Sequence, residues 1–315
     1  MGKENQSTTS DFTLMGLFGH TGPHLVLFAL VTTTFATGLL ANTVLLVLTW
    51  VDPRLRTPMY FLLGHLALLD LGFPLVTIPK MLADFLRGDS TISFAGCAAQ
   101  MFLLMLLGVS EGVLLALMSY DRYVAVCHPL HYPVLMRRPV CLRIVVASWL
   151  SGALVASVQT SVILRFPFCA SRALAHFICE LPALLRLACA PGVAAYELAL
   201  SVSGVLILLL PLALIAASYS LVLGAVLRMR TAQARRKALA TCSSHAAVVG
   251  LFYGAAVFMY MVPSPYHHPH QDHAVALCYS LLTPSLNPLI YSLRNREVRA
   301  ALAAATRRTG CRLRK

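Results

Sequence analysis

Charged residues are scarce in this chain, and long stretches of it contain none. Only 12% of its 315 residues are charged, about half of the roughly 25% that soluble domains carry. No Asp, Glu, Lys or Arg occurs in the ranges 12–51, 144–164, 198–227, 238–271 and 273–293. Because too few polar residues remain to cover a water-soluble core, this composition excludes an ordinary soluble protein.

Two further stretches are almost free of charge: 57–79 contains only Asp70, and 90–120 contains only Glu111. A helix needs about 20 mostly apolar residues to cross a bilayer, so these stretches leave room for seven spans and no eighth. We therefore predict an all-α membrane protein, a seven-transmembrane helix bundle. Its spans are predicted at 24–50, 58–82, 97–122, 140–163, 196–227, 238–262 and 274–293.

The basic residues predict the orientation. Lys and Arg gather on the cytoplasmic side of membrane proteins, and most of the 25 in this chain fall there if the N-terminus is extracellular. The net charge of +13 then indicates contact with membrane lipids and no nucleic-acid binding. The prediction is a single domain over 1–315, with an extracellular N-terminus (1–23), the bundle (24–293) and a cytoplasmic tail (294–315). The segment 294–306, basic on one side and rich in Ala and Leu on the other, predicts a short amphipathic helix at the inner membrane surface.

The predicted extracellular side carries sites for covalent modification. Asn5–Ser7 is a glycosylation sequon, so we predict glycosylation at Asn5. Cysteines on an oxidising side are expected to pair. Four cysteines allow three pairings, and the residues alone do not choose among them. The four are Cys97, Cys169, Cys179 and Cys189.

The two acids within spans indicate a functional role, because an ionisable side chain is costly at that depth. At 1.5 Å per residue, Asp70 lies about 20 Å and Glu111 about 17 Å from the cytoplasmic ends of neighbouring spans. Asn42 and Asn287 can add polar groups beside them. Two carboxylates in a low dielectric repel, so a proton or a cation must lie between them. We favour a sodium site of Asp70 and Glu111 over a protonated acid pair that joins the helices, and no other cofactor is expected.

The stretch MSYDRYVAVC at 118–127 places Asp121 and Arg122 where the third span meets the cytoplasm. In the simplest interpretation Arg122 is an interfacial anchor whose charge reaches water. An arginine held by an adjacent acid can also exchange partners, which would make a two-state switch. A buried ion site together with such a switch favours a receptor over a transporter.

Six motifs occur in order along the chain: LRTPMYFLL (55–63), MSYDRYVAVC (118–127), SYSLVL (218–223), KALATCSSH (237–245), FYGAAVFMY (252–260) and PSLNPLIYSLRN (284–295). Together they resemble the signature set of vertebrate odorant receptors, which are rhodopsin-like (class A) G-protein-coupled receptors. The resemblance implies binding of small, mostly apolar odorants and activation of a stimulatory, olfactory-type heterotrimeric G protein that raises cyclic AMP. It also implies a plasma-membrane location, in the cilia of olfactory sensory neurons.

The resemblance implies roles for particular residues as well. It pairs Cys97 with Cys179 and Cys169 with Cys189. The implied G-protein switch consists of Asp121, Arg122, Tyr123, Asn287, Pro288 and Tyr291. The implied odorant pocket, in the outer half of the bundle, is lined by Met105, Gly108, Val109, Val202, Leu206, Tyr253, Val257, Tyr260 and Tyr279. This set is apolar with three phenols, which favours a small neutral odorant with one hydrogen-bonding group.

Other classes of function receive less support. HHPHQDH at 267–273 could bind zinc or copper or make the response pH-dependent, but a solvated outer loop is the simpler interpretation. An enzyme is not supported, because the sequence shows neither a nucleophile–base arrangement nor a phosphate-binding loop. The alternative is a small-molecule transporter, which predicts internal pseudo-symmetry and helices broken at the midplane. The seven unequal spans show no such pairing.

Overall fold

The computed structural model describes residues 11–15, 17, 22–168, 172–189, 191–262, 268–294 and 297–304. Its helices are α1 (Gly22–Val51), α2 (Pro58–Arg87), α3 (Phe94–Cys127), α4 (Tyr132–Leu135), α5 (Arg138–Ile163), α6 (Leu181–Leu185), α7 (Val193–Leu227), α8 (Ala232–Met261), α9 (Pro269–Leu277) and α10 (Thr283–Arg294). Three short strands are β1 (Phe12–Leu14), β2 (Thr91–Ile92) and β3 (Ala173–Leu174). Within these ranges seven helices are long and apolar enough to cross a membrane, counting α9 and α10 as one. The predicted seven-helix bundle is confirmed.

Several helices are longer than the spans predicted for them. α2 ends at Arg87 and not at residue 82, because an ion pair between Lys80 and Asp84, one turn apart, supports its last turns. Gly88, with a φ of 68°, then ends the helix in the left-handed conformation that glycine adopts without strain. α3 begins before residue 97, where Ser93 Oγ accepts a hydrogen bond from Gly96 N over 3.1 Å. The uncharged stretches thus predicted which segments cross the membrane, but they did not predict where the helices begin and end.

The last span is interrupted. It begins at Pro269, five residues before the predicted start, because proline suits the first turn of a helix. The expectation of a loop over 267–273 is therefore wrong from Pro269 onward. Residues Cys278–Leu282 form a π-helical turn between α9 and α10, and this wider turn had no counterpart in the prediction.

α3 is the central helix of the bundle. It packs against α2, α5, α7 and α8 and has buried residues from Cys97 to Val124. Gly152 allows α5 to approach it closely: a Cβ at this position would lie 2.1 Å from Ser110 Oγ and 2.5 Å from the Leu106 carbonyl oxygen. A change in the position of α3 is therefore transmitted to most of its neighbours.

The extracellular end is closed by a structure that we call the outer lid, made of β1, β2 and residues 172–189. β1 lies between the other two strands, antiparallel to β2 and parallel to β3. Phe12 and Leu14 of β1 are 2% exposed and belong to a separate hydrophobic cluster beneath the lid. A disulfide between Cys97 and Cys179 joins the lid to α3.

The cytoplasmic end carries the predicted amphipathic helix. Residues 297–304 are helical, and Val298 and Ala301 face the core at 2% and 1% exposure. Tyr60 of α2 donates a hydrogen bond to Glu297 Oε2 over 2.8 Å. The apolar side of this segment therefore packs on the bundle as the sequence pattern predicts.

Candidate functional site

A buried ion pair lies at the cytoplasmic end of α3. Arg122 Nη2 contacts Asp121 Oδ2, and Tyr132 donates a hydrogen bond to the other carboxylate oxygen over 2.7 Å. Burial and the neighbouring Asp121 raise the pKa of Tyr132, so this phenol remains a donor at neutral pH. Arg122 is only 7% exposed, and an unpaired charge at such a site would be costly. Asp121 therefore holds Arg122 in this conformation.

Tyr123, the third residue of this predicted group, has a different partner. Its hydroxyl lies 3.1 Å from His128 Nε2, just beyond the end of α3. Nearby, α7 and α8 are joined by a contact that the sequence analysis did not single out: the Tyr219 hydroxyl is 2.6 Å from His245 Nδ1. His245 is 2% exposed. The sequence signal that could have indicated this contact is a histidine, His245, within a long uncharged span.

The predicted switch residues of the last span lie in α10. Asn287 donates a hydrogen bond to Asp70 Oδ1 on α2 over 2.8 Å. Pro288 lies inside the helix and has no N–H for the carbonyl four residues earlier. That carbonyl, of Pro284, instead accepts from Asn42 Nδ2 on α1 over 2.9 Å. The proline therefore converts a helical hydrogen bond into a contact between helices.

The two predicted membrane acids are brought together. Asp70 and Glu111 are each 1% exposed and interact electrostatically. Around them, three buried oxygen atoms have no hydrogen-bond partner among the described residues: Asn42 Oδ1, Glu111 Oε1 and Asn287 Oδ1. The Tyr291 hydroxyl is likewise buried without a described partner. The part of the chain that the structure describes contains no group of three His, Cys, Asp or Glu suited to a metal ion, so any cation here would depend on amide oxygens as well.

The three predicted pocket residues of α3 lie in its outer half. Met105 packs against the cluster beneath the outer lid. Gly108 faces α2, where a Cβ would lie 3.7 Å from the Phe73 ring, and Val109 is half-buried. These small and flexible side chains leave the wall of α3 apolar.

Tyr253, Val257 and Tyr260 lie four and three residues apart and share one face of α8. The Tyr253 hydroxyl donates to the Gly112 carbonyl oxygen on α3 over 2.8 Å, deep in the bundle. Val257 packs against the main core. Tyr260, nearer the outer end, is 46% exposed and lies within electrostatic range of Glu180. The face thus changes from a side chain fixed by a hydrogen bond, at Tyr253, to a partly exposed one, at Tyr260.

Glu180 is an acid in this region that the predicted set lacked. Its Oε2 accepts a hydrogen bond from Tyr279 over 2.8 Å, and its Oε1 lies 3.1 Å from His176 Nε2. It is placed there by its neighbour Cys179, which is bonded to Cys97 and donates its backbone N–H to Gln100 Oε1 over 2.8 Å. Glu180 could have been identified from the sequence because it directly follows Cys179, a predicted disulfide cysteine.

Val202 and Leu206 were predicted on the wrong face of α7. They are 54% and 55% exposed and point away from the bundle, whereas Leu208 and Ile215 are 9% and 6% exposed. The inner face of the outer half includes Ser203, whose hydroxyl donates to the Leu200 carbonyl oxygen and accepts a hydrogen bond from Gln159 Nε2 on α5 over 3.5 Å. α7 is apolar all round, so its sequence carries no signal for the buried side.

Some predicted sites lie outside the described residues. Asn5 and Cys169 are among them, so the structure does not bear on glycosylation or on the Cys169–Cys189 pair. Of the histidine-rich stretch, His273 lies in α9, and its ring packs at 5.0 Å and 90° against His176 of the outer lid. This histidine is part of the packing between lid and bundle.

Comparison with known proteins agrees with the architecture. The family model described as olfactory receptor matches residues 31–307. Human "Olfactory receptor 2Z1" is 64% identical over 99% of this chain and 99% of its own length. Human "Olfactory receptor 2T27" is 51% identical, covering 96% of this chain and 95% of its own, and mouse "Olfactory receptor 2V1" is 50% identical, covering 95% and 94%. With seven membrane-crossing helices and matches over nearly its whole length, this chain is a multi-pass membrane protein that belongs to the olfactory receptor family.

Proposed function

We propose that this receptor binds a small, mostly apolar odorant beneath the outer lid and then activates a stimulatory, olfactory-type G protein, raising cyclic AMP. The observation that supports it is the position of α3. This helix contributes Met105 and Gly108 to the outer region and carries the Asp121–Arg122 pair near its cytoplasmic end. About 20 Å of rigid helix separate Gly108 from Asp121, and a shift of the outer half therefore reaches the inner end.

The ligand class follows from the side chains. Apolar residues and phenols dominate the predicted set, and the Tyr253 hydroxyl is already used by Gly112. The remaining polar groups are Tyr260 and the Glu180 carboxylate, which already accepts a hydrogen bond from Tyr279. A neutral odorant with one hydrogen-bond donor suits this combination, because its apolar body is desolvated cheaply and its polar group finds an acceptor.

Activation would require Arg122 to leave Asp121. The pair is buried, so breaking it without a new partner is strongly unfavourable. A G protein that offers acceptors to Arg122 would lower that cost and so favour the active conformation. In this proposal Tyr132 keeps its hydrogen bond to the other oxygen of Asp121, so the carboxylate retains one partner when Arg122 leaves.

The Asp70–Glu111 group is proposed to hold a sodium ion in the resting state. Carboxylate and amide oxygens suit a hard cation, and the unpartnered oxygens of Asn42, Glu111 and Asn287 fit that chemistry. A bound cation would offset repulsion between the two acids. A shared proton is the alternative, and it would leave the receptor insensitive to sodium.

The proposed location is the plasma membrane of olfactory sensory neurons, in their cilia. The proposed function is tested by expressing the full chain with a cyclic AMP reporter and screening small neutral odorants, with Arg122→Ala as the matched control. Signalling by the wild-type chain alone supports the proposal. Ligand flux across the membrane without G-protein activation would instead support a transporter and refute it.

A further inference from the structure

A groove lies between α7 and α8 near their cytoplasmic ends. Its volume is about 570 Å³, and its lining is mostly apolar, including Tyr219, Cys242, Leu239 and Ala246. Two arginines, Arg235 and Arg236, complete the lining. None of these residues belongs to the predicted odorant pocket or to the Asp121–Arg122 pair.

The groove opens away from the bundle core. Leu239 is 45% exposed, and Ala246 is exposed as well. On the opposite side of α8, His245 and Val248 are 2% and 0% exposed and face the core. A surface on the outer side of a membrane helix is in contact with lipid, so the apolar part of this groove faces acyl chains.

The arginines lie at the depth of the lipid headgroups. Ten residues separate Arg236 from Ala246, which corresponds to about 15 Å along the helix axis. α8 begins at Ala232, itself part of the lining, so the arginines lie within its first turns and Ala246 lies toward the bilayer interior. The groove therefore runs from the membrane surface into the hydrocarbon region.

The charged end of the groove is suited to an anion. Both arginines are exposed. Arg235 Nη2 lies 3.5 Å from the Leu227 carbonyl oxygen and 3.4 Å from that of Met229, which holds its side chain over the end of α7. A guanidinium has five N–H donors, so donors remain for a phosphate. The positive end of the α8 dipole adds to the same field.

We propose that this groove binds an anionic phospholipid, with one acyl chain between α7 and α8 and the headgroup phosphate at Arg235 and Arg236. The apolar wall and the basic end match the two parts of such a lipid, whereas a zwitterionic lipid would gain little from the arginines. The inference is independent of the odorant and of the G protein. It concerns a second binding site on the opposite half of the molecule from the outer lid.

The test uses the purified full-length receptor in phosphatidylcholine nanodiscs. Each sample contains a trace of phosphatidylserine or phosphatidylcholine with a photoreactive diazirine in one acyl chain, and labelled peptides are mapped by mass spectrometry. An arginine near the headgroups contributes roughly fivefold to the preference for an anionic lipid. We therefore expect the phosphatidylserine probe to label the peptide around Leu239 and Ala246 at least about fivefold more than the phosphatidylcholine probe.

Three variants separate the contributions. Arg235→Gln with Arg236→Gln should reduce the ratio of the two probes toward one. The matched control, Arg137→Gln with Arg138→Gln, alters another pair of exposed arginines at the cytoplasmic start of α5 and should leave the ratio unchanged. Ala246→Trp, at an exposed position, should lower labelling by both probes, because the indole fills the groove.

Equal labelling by the two lipids would overturn the proposal, as would a ratio unaffected by the Arg235 and Arg236 changes. If both lipids label the groove equally and a G protein abolishes that labelling, the groove is a binding surface for the G protein instead. Loss of odorant signalling with the lipid preference intact would refute the proposed function and leave this site standing.

Discussion

The two ends of the bundle are held together by different kinds of contact. At the extracellular end, a disulfide, a three-stranded sheet and the Tyr279–Glu180 hydrogen bond fix the outer lid. At the cytoplasmic end, the described contacts around α3 are an ion pair and single side-chain hydrogen bonds, such as Tyr132 to Asp121. A covalent bond and backbone ladder resist rearrangement, whereas ion pairs can exchange partners. The comparison indicates a rigid end for recognising ligand and an adjustable end for signalling.

The largest effect is expected from breaking the rigid end. Cys97→Ser or Cys179→Ser removes the disulfide, and loss of such a bond costs about 2–5 kcal/mol of stability. The receptor should then fail to reach the cell surface, as measured by antibody staining of unpermeabilised cells. Cys127→Ser, which alters a free thiol, serves as the control and should be displayed normally. Normal display of both disulfide variants would show that the lid does not depend on this bond.

Next in size is the loss of the adjustable contact. Arg122→Ala should reduce odorant-driven cyclic AMP to background, because no cation remains at the end of α3 to meet the G protein. Surface staining should persist, since the outer lid is unchanged and Tyr132 still donates a hydrogen bond to Asp121. A wild-type cyclic AMP response from this variant would refute the role of the ion pair in signalling.

The acids midway between the two ends should have an intermediate effect. If they share sodium, raising sodium at constant ionic strength, with choline as the replacement, should shift the odorant dose–response curve to higher concentrations. Asp70→Asn keeps the shape of the side chain but removes its charge, and it should abolish this shift. Superimposable wild-type curves across sodium concentrations would leave a shared proton as the explanation.

A smaller effect is expected at the hydrogen bond between lid and bundle. Tyr279→Phe removes a donor to the buried Glu180 carboxylate, and a hydrogen bond to a charged group contributes about 1.5–3 kcal/mol. We expect at least about a tenfold loss of odorant potency, because the lid is held less firmly over the ligand. Tyr260→Phe, which alters a half-exposed phenol, should change potency less. The reverse order would place the ligand against Tyr260.

The smallest effect tests the face of α7. Val202→Ala and Leu206→Ala alter lipid-facing side chains and should change potency and surface expression by less than about twofold, as exposed substitutions usually do. Leu208→Ala, on the buried side of the same helix, should destabilise the receptor by about 2–5 kcal/mol. If Leu206→Ala abolished odorant responses and Leu208→Ala did not, the odorant would contact the face of α7 that carries Val202 and Leu206, as the sequence analysis predicted.

Sequence reasoning was most successful where physics leaves little choice. A hydrocarbon layer tolerates neither charge nor unpaired backbone, so uncharged stretches predicted all seven spans. The similar depth of Asp70 and Glu111 followed from rise per residue alone, and in the structure Asp70 interacts with Glu111 and accepts a hydrogen bond from Asn287. The Asp121–Arg122 pair could be predicted because the two residues are adjacent in the sequence.

Other features depend on contacts distant in sequence. β2 and β3 have two residues each, too few for a periodic pattern. The buried face of α7 left no trace because lipid and core are both apolar, so the selection of Val202 and Leu206 had no physical basis. Glu180 acquires its position from a disulfide that closes 82 residues of chain, and its proximity to Tyr279 is a property of the folded bundle.

The π-helical turn at Cys278–Leu282 determines how the last span presents its side chains. In a regular helix, the eight steps from Tyr279 to Asn287 would turn the second side chain about 80° from the first. Yet both face α2: the Tyr279 ring packs against Phe73, and Asn287 bonds Asp70 less than one turn away. The wider turn accommodates about one extra residue and offsets most of that rotation. A substitution that converts this turn to regular α-helix without shortening the chain would therefore rotate the recognition and signalling side chains out of alignment, although every one of them would still be present.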